Sequence, residues 1–483
     1  MRVLLNKVCF GLPVKSFFMD YTVSKKRELP VVKEFIIRII HSLSSTSLDT
    51  IQSYFGLTDK EILAVFDDLQ EENLITWEEG RVQLTYYAMS KFIEENGNLR
   101  PTFFEVTEET SPVEFELYSF RILSRDVKHS GSQDMSISLN LPDSSYHNLL
   151  DKAQRAFDKN FNLFRELVLK EDIFSERKEL YKINQVSDRY DSTLPLEVEY
   201  FIDTDSPNIL KMEYTSKTVD EWDEDKSFFS IMDSTIEINT MKNQYNSFNN
   251  YLEASMDPFL LQYWDENTNT LNIKALVNHY EHGLTKLNDD TFMLLGNFYT
   301  ENNKEILSRQ LQLKFKNKPE NSGLIWLTNS GSKTWGKTID LNKLIDEIYN
   351  LFDKRKKTSK VVLGMHCESF QESITLSNNF WKLSNVELMD FPTQYGGEDA
   401  EFIIIPGLMV ASLFHSQLHD KRNIPLPVGY VSFEPKFISE VSNKLLSWAM
   451  IQPKYNDFFE KKGIKEEQKV RNKYFIPILE QCL

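Results

Sequence analysis

Apolar residues recur at helical spacing close to the N-terminus of the chain. Over residues 29–43 they fall every three or four positions, which predicts an amphipathic helix. A second, short helix ends at Gly56, and a third begins with Thr58 or Asp59 as its N-cap. The segment LITWEEGRVQLT then predicts two short strands that join at Glu79-Gly80.

This order of elements resembles a winged helix-turn-helix domain over about residues 30–95. The residues that carry the resemblance are Gly56 in the turn, Leu69, Leu74 and Ile75 at the exit from the third helix, and Gly80 at the tip of the wing. The resemblance implies a fold and leaves the partner open.

The same segment is strongly acidic. Between Ser44 and Glu95 it carries three cationic residues and eleven carboxylates, a net charge of −8. The third helix ends in DDLQEE and the wing is flanked by EEGR, whereas a winged helix that binds DNA needs cations at both places. The charge therefore favours protein docking or a structural role over DNA contact on this face. A solvated acidic helix face would account for much of the same charge.

Residues 1–43 have the opposite sign, with eight cationic residues against three carboxylates. If nucleic acid is contacted near the N-terminus, Lys25, Lys26 and Arg27 are the predicted contacts, although such clusters are common on protein surfaces. The predicted partners are therefore proteins, with nucleic acid possible only away from the acidic face.

Beyond the winged-helix segment, strand-like and helical patterns alternate from residue 101 to residue 320, which predicts an α+β region. Residues 144–169 have the pattern of one long amphipathic helix. Residues 309–318 alternate at period two, which is typical of a strand.

The last third of the chain changes to strand–loop–helix units. The segments LIWLTN, KVVLGM, VELMDF and EFIIIPG are nearly continuous apolar runs, which are typical of a parallel sheet covered on both faces. The patterns together predict an α/β and α+β multidomain protein with three parts. These are an N-terminal arm plus winged helix at 1–100, a middle α+β domain at 101–320, and an α/β domain with a mostly parallel sheet and a charged C-terminal tail at 321–483.

Composition limits the classes of protein that this chain can represent. A hydrophobic fraction of 41% with 16 glycines and 16 prolines in 483 residues excludes collagen-like and wholly disordered chains. A net charge of −17 argues against a general nucleic-acid coat protein. Three cysteines cannot form a disulfide framework, and the longest apolar stretches are too short to span a membrane. We expect a cytoplasmic protein without a signal peptide and without a membrane partner.

The segment GSKTWGKT satisfies the pattern G-x-x-x-x-G-K-[ST] and resembles the phosphate loop of P-loop nucleotide hydrolases. By that resemblance, Gly331 and Gly336 would let the backbone wrap around the phosphates. Lys337 would contact the terminal phosphates, and Thr338 would bind Mg²⁺ with the nucleotide. Against it, Asp340 has the position of an N-cap for the following helix, and Asp390 is the nearest candidate for a second acidic motif. A polar surface loop is the alternative.

Two histidine patterns are weaker candidates. His415 and His419 would share one face of a helix, and a further group follows a strand at His366, Cys367 and Glu368. Neither pattern matches the spacing of a metal motif, so we predict no metal site.

The segment His419-Asp420-Lys421, with PVGYVSFEP after it, resembles the H-x-K signature of phospholipase-D-type nucleases. The resemblance implies a nucleophilic histidine and a lysine that binds phosphate. The aspartate of that family would fall at Leu426, and a second H-x-K half is absent from the sequence. The resemblance therefore implies a degenerate domain.

We predict that the chain is an accessory or docking subunit of a cytosolic prokaryotic DNA-handling or anti-phage defence assembly. It would act through protein–protein contacts of the acidic winged helix, and its place in such an assembly rests on analogy of architecture. The alternatives are a P-loop ATPase or GTPase and a degenerate phospholipase-D-like nuclease domain, so whether the chain is an enzyme stays open.

Overall fold

The computed structural model describes most of the chain. The described residues are 2–27, 29–95, 98–126, 135–172, 178–214, 226–236, 244–257, 259–281, 285–314, 323–329, 332–352, 360–366, 374, 380, 386–391, 394–418, 424–451 and 471–480. Most of the predicted charged tail lies outside them.

Helices occur throughout the described residues. They are α1 (Val31–Leu43), α2 (Leu48–Phe55), α3 (Asp59–Glu71), α4 (Tyr86–Met89), α5 (Leu149–Lys159), α6 (Phe161–Phe164), α7 (Lys226–Ile236), α8 (Tyr245–Ser255), α9 (Ile273–Glu281), α10 (Glu301–Lys314), α11 (Ile339–Leu351), α12 (Pro435–Ile451) and α13 (Ile476–Glu480). Among these helices, none has the length and apolar character that a membrane span requires.

The described strands include two very long ones. They are β1 (Arg2–Arg27), β2 (Ser45–Thr46), β3 (Ile75–Glu78), β4 (Arg81–Leu84), β5 (Phe92–Glu95), β6 (Asn98–Pro101), β7 (Phe103–Glu116), β8 (Ile137–Ser138), β9 (Lys178–Asp203), β10 (Ser206–Tyr214), β11 (Trp264–Asp265), β12 (Thr270–Leu271), β13 (Thr291–Leu295), β14 (Leu324–Leu327), β15 (Val361–Met365), β16 (Val386–Asp390), β17 (Ala400–Ile405), β18 (Met409–Ser416) and β19 (Leu426–Ser432).

The chain divides into two compact units. The smaller unit comprises residues 14–126 and 143–191, and the larger unit comprises residues 1–13, 127–142 and 192–483. Strands β1 and β9 therefore each contribute residues to both units. The boundaries predicted near residues 100 and 320 lie inside a unit, and the three-domain division stays a prediction.

In the smaller unit, α1, α2 and α3 share an apolar core with a three-stranded sheet of order β2-β4-β3. We call residues 31–84 the three-helix module. The predicted order of helix, helix, turn, helix and hairpin is confirmed, with Gly56 in the left-handed region at φ +67° after α2. Thr58 is the N-cap of α3, and its hydroxyl and the Glu61 carboxylate each accept a hydrogen bond from the other residue's backbone N–H.

The rest of the smaller unit contains long antiparallel strands. Strand β1 pairs with β7 from Val14 opposite Glu116 to Arg27 opposite Phe103. The ring of Tyr21 on β1 packs against three phenylalanine rings at centroid distances of 5.2 to 5.9 Å, namely those of Phe157, Phe161 and Phe164. The aromatic cluster thus joins this strand to α5 and α6.

The single helix predicted for residues 144–169 is wrong. The structure has a 3-10 turn at Asp143–Tyr146, then α5, then α6, and a π turn at Arg165–Leu169. The interruption lies at Asn160, where φ is −116° and the side-chain amide donates to the carbonyl of Ala156 at 2.9 Å. An asparagine side chain that bonds to the backbone of the preceding turn offers the chain an alternative to a continuous helix.

The larger unit is built on a seven-stranded sheet of order β13-β19-β18-β17-β14-β15-β16. Strands β14, β15 and β16 pair in parallel, but the remaining pairings in the sheet are antiparallel. The predicted mostly parallel sheet is therefore wrong. An apolar run indicates that both faces of a strand are buried. It does not indicate strand direction, because parallel and antiparallel strands can be buried equally. The short connection from β17 to β18, with Gly407 at φ +67°, permits only an antiparallel pair.

Helices cover both faces of this sheet. Residues of α10 and α11 pack on one face around Trp326 and Ile403. On the other face, the ring of Tyr251 from α8 lies 6.2 Å from that of Phe402, and the ring of Phe437 from α12 lies 5.3 Å from that of Tyr430. This double cover buries nearly every position of these strands.

The strand predicted for residues 309–318 is also wrong, because residues up to Lys314 belong to helix α10 and residues 315–318 lie outside the described part. Leu307 and Leu311 are both buried, and their spacing of four places them on one face of the helix. Alternation over a few residues does not distinguish a strand from a helix. Here the first buried leucine, Leu307, precedes the alternating segment, so the segment alone does not show the helical spacing.

A carboxylate in the larger unit links this fold to pH. Asp257 follows α8, and its oxygens accept hydrogen bonds from the backbone N–H of Phe259 at 2.9 Å, from that of Leu260 at 2.7 Å, and from the hydroxyl of Tyr251 at 2.9 Å. Burial raises the pKa of Asp257 from its ordinary 3.8 to about 6, although these hydrogen bonds oppose the shift.

The free energy of unfolding should therefore fall as pH rises, because the buried Asp257 becomes ionised. The raised pKa means that the folded state binds the proton more tightly than the unfolded state, so the stabilisation is present below pH 4 and is lost as pH rises through about 6. Relative to the wild type, the Asp257→Asn variant should gain on the order of 2 kcal/mol between these limits. Denaturant unfolding followed by tryptophan fluorescence at a series of pH values measures this difference.

Asp289 provides the control, because this exposed carboxylate bonds to Lys286 and its pKa is lowered. An Asp289→Asn variant should not gain stability over that range. A constant difference between wild type and Asp257→Asn across the range would contradict the prediction.

Candidate interaction surface

Helix α3 separates its side chains into a buried and an exposed face. Ile62, Phe66 and Leu69 lie in the core of the three-helix module. The opposite face exposes Leu63, which is 51% accessible, together with carboxylates including Asp67 and Glu71. The net charge of the segment does not reveal this exposed leucine among the carboxylates.

The β3–β4 hairpin continues this face. Glu79 and Gly80 at its tip both have positive φ, the geometry of a two-residue type I′ turn that keeps the strands in register. Trp77 on β3 is 40% exposed, and its ring centroid lies 5.9 Å from that of Phe66 on α3. We define the acidic face by the exposed residues of α3 and the hairpin, which are Leu63, Asp67, Glu71, Trp77, Glu78 and Glu79.

Two cations of β1 and α1 are held by other carboxylates of α3. Lys33 of α1 pairs with Asp68 at 3.0 Å and with Glu72 at 3.1 Å, and Arg27 pairs with Glu72 at 3.0 Å. Burial lowers the pKa of Lys33, but its hydrogen bonds to these two carboxylates outweigh that effect and keep the pKa above its usual value. These pairs fix α1 to α3 and offer no cation to a phosphate.

The structure does not place Lys25, Lys26 and Arg27 on one face: Lys25 and Arg27 share a face of β1, and Lys26 lies on the other. All three lie at the end of β1, where successive side chains point to opposite faces of the sheet. Lys25 lies opposite Glu105 in the pairing with β7, and Arg27 is bonded to Glu72. Their role in binding nucleic acid stays a prediction that this geometry does not favour.

In the phosphate-loop motif, Thr338 has a structural role. It is fully buried, and it is the N-cap of α11, where its hydroxyl accepts from the backbone N–H of Asp340 at 3.3 Å. The sequence predicted Asp340 as that cap, and this is wrong: Asp340 lies in the first turn, where its carboxylate pairs with Lys7 and Lys343. A hydroxyl that is buried and engaged in this way does not face a metal–phosphate ligand. Gly331 lies outside the described residues.

The other motif residues are also engaged within the fold. The backbone N–H of Gly336 donates to the hydroxyl of Tyr299 at 3.1 Å, and the carbonyl of Lys337 accepts from the backbone N–H of Cys9 at 2.6 Å. Gly336 has φ +65°, and a Cβ there would lie 2.8 Å from Leu341. The glycine thus serves a tight turn against α11. Phosphate binding through Gly336, Lys337 and Thr338 stays a prediction, and these contacts argue against it.

A buried polar cluster in the larger unit was not predicted from the sequence. The Glu401 carboxylate accepts hydrogen bonds from the indole Nε1 of Trp326 at 2.7 Å and of Trp335 at 2.8 Å, and its second oxygen lies 2.8 Å from Nε2 of His415. Glu401 is completely buried. The only sequence signal is a glutamate inside the apolar run EFIII, which indicates a buried acceptor but not its partners.

His415 does not lie on a helix, as the sequence analysis expected, but on strand β18, which is paired on both sides. The Nδ1 N–H of His366 donates to the carbonyl of Phe391 at 2.9 Å. Among the residues that the structure describes, no group of three or more histidines, cysteines and carboxylates could hold a metal ion. The predicted partners Cys367, Glu368 and His419, and Lys421 of the H-x-K segment, lie outside the described residues.

A cavity of about 580 Å³ opens beside α8, α12 and the loop after β16. Two of its polar wall groups are bonded within the fold: the hydroxyl of Tyr395 donates to the backbone carbonyl of Ala254 at 3.2 Å, and the side-chain amide of Gln394 donates to the backbone carbonyl of Ala400 at 2.6 Å. The acidic face, by contrast, exposes apolar side chains together with carboxylates.

We expect no saturable binding of an ATP analogue with Mg²⁺ to the chain, because the motif residues are engaged within the fold. Equilibrium binding of a labelled analogue to the wild type and to Lys337→Ala tests this expectation. The same residues should matter for folding: Thr338→Ala should lower stability by about 1 kcal/mol through loss of the cap, and Thr338→Ser should retain most of it. Micromolar binding that Lys337→Ala abolishes would contradict this reading.

No family model matches the sequence, and no curated protein matches it. Among solved structures, the chain is similar to TrmBL2, an archaeal chromatin protein whose structure shows a novel mode of DNA binding. The match has 10% sequence identity and a TM-score of 0.21, and it covers 38% of this chain and 60% of that protein. The present chain thus spans less than two thirds of that structure, and a likeness at this TM-score carries no argument about fold or function.

Proposed function

We propose that the chain is a docking subunit that binds a protein partner through the acidic face of a winged helix. The three-helix module has the element order of that fold, with α3 in the place of the helix that enters a DNA groove and the β3–β4 hairpin in the place of the wing. The observation that carries the proposal is the chemistry of these two elements, which expose Leu63 and Trp77 among carboxylates.

Electrostatics favour a protein over DNA at this face. Winged helices that bind DNA use cations on these elements to neutralise phosphates. Here Asp67, Glu71, Glu78 and Glu79 are exposed there, and the nearest cations from β1 and α1 are paired with Glu72 and Asp68. Bringing a phosphate backbone to such a surface would place like charges together.

Apolar side chains add what charge alone cannot supply. Aromatic residues are enriched among the residues that contribute most to protein–protein binding. Trp77 packs against Phe66 and so needs little ordering when a partner binds. The partner that fits is a protein segment with lysine or arginine residues around an apolar side chain, because its cations would meet the carboxylates while the apolar group covers Leu63 and Trp77.

The wider role that we propose is the one predicted from the architecture, an accessory subunit of a prokaryotic DNA-handling or anti-phage defence assembly in the cytoplasm. A docking function is consistent with that place, since such a subunit contacts proteins rather than DNA. The contacts of Gly336, Lys337 and Thr338 weigh against the P-loop alternative. The H-x-K segment of the degenerate nuclease alternative lies outside the described residues.

Selection of phage-displayed random peptides on the immobilised full chain tests the docking proposal. We expect enrichment of cationic peptides that contain an apolar residue, because such peptides complement both components of the acidic face. A Leu63→Glu/Trp77→Ala double variant should weaken binding of the enriched peptides at least tenfold. Tyr54→Ala on α2 is a matched control, since Tyr54 is highly exposed but lies outside the acidic face. Binding that the double variant leaves unchanged would refute the proposed surface.

Duplex DNA provides a separate test. At physiological salt, fluorescence anisotropy with a labelled duplex should show no saturable binding, because the acidic face repels phosphates. The Lys25→Ala/Lys26→Ala/Arg27→Ala variant should behave like the wild type. Binding with a steep salt dependence that this variant removes would instead establish nucleic acid as a direct partner.

A further inference from the structure

The cavity of about 580 Å³ in the larger unit has the size of a small-molecule site. Two helices and a loop form its walls: α8 contributes Asn250 and Glu253, α12 contributes Lys444 and Trp448, and the loop after β16 contributes residues 394–397. Asn250 and Glu253 are three residues apart and Lys444 and Trp448 are four apart, so each pair lies on one face of its helix. The two helices therefore present their side chains to the same space.

Part of the wall is aromatic. The ring of Trp448 lies 5.3 Å from that of Tyr395 and 5.2 Å from that of Phe391. The hydroxyl of Tyr395 is in turn bonded to the backbone carbonyl of Ala254. These contacts hold the Trp448 ring in place, and Trp448 is only partly buried. A ligand in the cavity can thus contact an ordered aromatic side chain.

The accessible polar groups of the wall are amides and a carboxylate. Asn250 and Glu253 are exposed, and Asn443 of α12, which also lines the cavity, is partly exposed. Each amide provides two donors and an acceptor, and an ionised carboxylate provides acceptors alone. Hydroxyl groups complement both kinds of side chain, because a hydroxyl donates and accepts.

The charges of the wall disfavour an anionic ligand. Among the lining residues that the structure describes, Lys444 is the single cation, and its Nζ already donates to the backbone carbonyl of Glu253 at 2.7 Å. The pKa of Tyr395 is raised by burial and also by the negative charge of Glu253, which shows that this carboxylate acts on the cavity wall. A phosphate or carboxylate in the cavity would meet that like charge.

We propose that this cavity binds a neutral carbohydrate, with a sugar ring against Trp448 and sugar hydroxyl groups bonded to Asn250, Glu253 and Asn443. The C–H groups on one face of a pyranose form an apolar surface that an aromatic ring covers. The hydroxyl groups at the edge of the sugar donate to carboxylate oxygens and exchange hydrogen bonds with amides. The site belongs to the larger unit, so the proposal does not rest on the docking function of the acidic face.

Saturation-transfer NMR of the full chain with glucose, galactose, N-acetylglucosamine, maltose and cellobiose tests the proposal, and calorimetric titration measures the affinity. We expect saturable binding of at least one of these sugars, with a dissociation constant of roughly millimolar order, because the ligand has few atoms. The uronate derived from that sugar should bind more weakly, since its carboxylate meets Glu253. Absence of binding, tighter binding of the uronate, or binding of adenosine or guanosine in place of every sugar overturns the proposal.

Two adjacent asparagines of α8 locate the site. Asn250 lines the cavity, whereas Asn249 is also exposed but is not one of the lining residues. Asn250→Ala should weaken binding of the sugar about tenfold through loss of its hydrogen bonds, and Asn249→Ala should leave the affinity unchanged. Equal affinities of the two variants would overturn the proposed site.

Trp448→Ala tests the aromatic contact and should abolish sugar binding. Circular dichroism verifies that this variant is folded, since the Trp448 ring also packs against Tyr395 and Phe391. A folded Trp448→Ala variant that binds the sugar as the wild type does overturns the proposal. If the variant is unfolded, the comparison of Asn250→Ala with Asn249→Ala decides.

Discussion

The buried carboxylate of Glu401 is the interaction on which the larger unit depends. Its Oε1 accepts from the indole N–H groups of both Trp326 and Trp335, and its Oε2 contacts the imidazole of His415. These partners come from β14, from the loop before α11 and from β18, so one side chain holds three separate parts of the chain in place. An indole N–H that is buried without an acceptor costs roughly 1–3 kcal/mol, and two of them share this carboxylate.

That arrangement also explains the phosphate-loop motif. Trp335 lies within the GSKTWGKT segment, and its bond to Glu401 draws the loop against the sheet. Gly336 then makes the turn that lets Thr338 begin α11. A glycine, a small hydroxyl residue and a helix start are needed for this packing just as they are for a nucleotide site. Gly336 and Thr338 therefore each have a structural role in this packing.

In the smaller unit, ion pairing between α1 and α3 governs what the surface can bind. Lys33 is held by Asp68 and Glu72, and the outer face of α3 exposes Leu63 together with carboxylates such as Asp67. Helix α1 likewise exposes Val31, Phe35 and Leu43. The small core of the module thus buries one side of each helix and leaves apolar residues exposed on the rest.

Local signals in the sequence determined the elements of the three-helix module. These signals are the apolar spacing, the Thr58 cap, Gly56 and the Glu79-Gly80 turn. Each acts within a few residues, so it can be recognised without knowing the fold. The net charge of its surface was equally readable. Strand direction in the seven-stranded sheet, the helical state of residues 309–314 and the partners of Glu401 depended on contacts between residues distant in the chain, and only the tertiary structure decided them. The same holds for the basic tripeptide, whose side chains alternate along a strand, and for the exposure of Leu63 and Val31. An apolar residue looks the same in a sequence whether a core covers it or not.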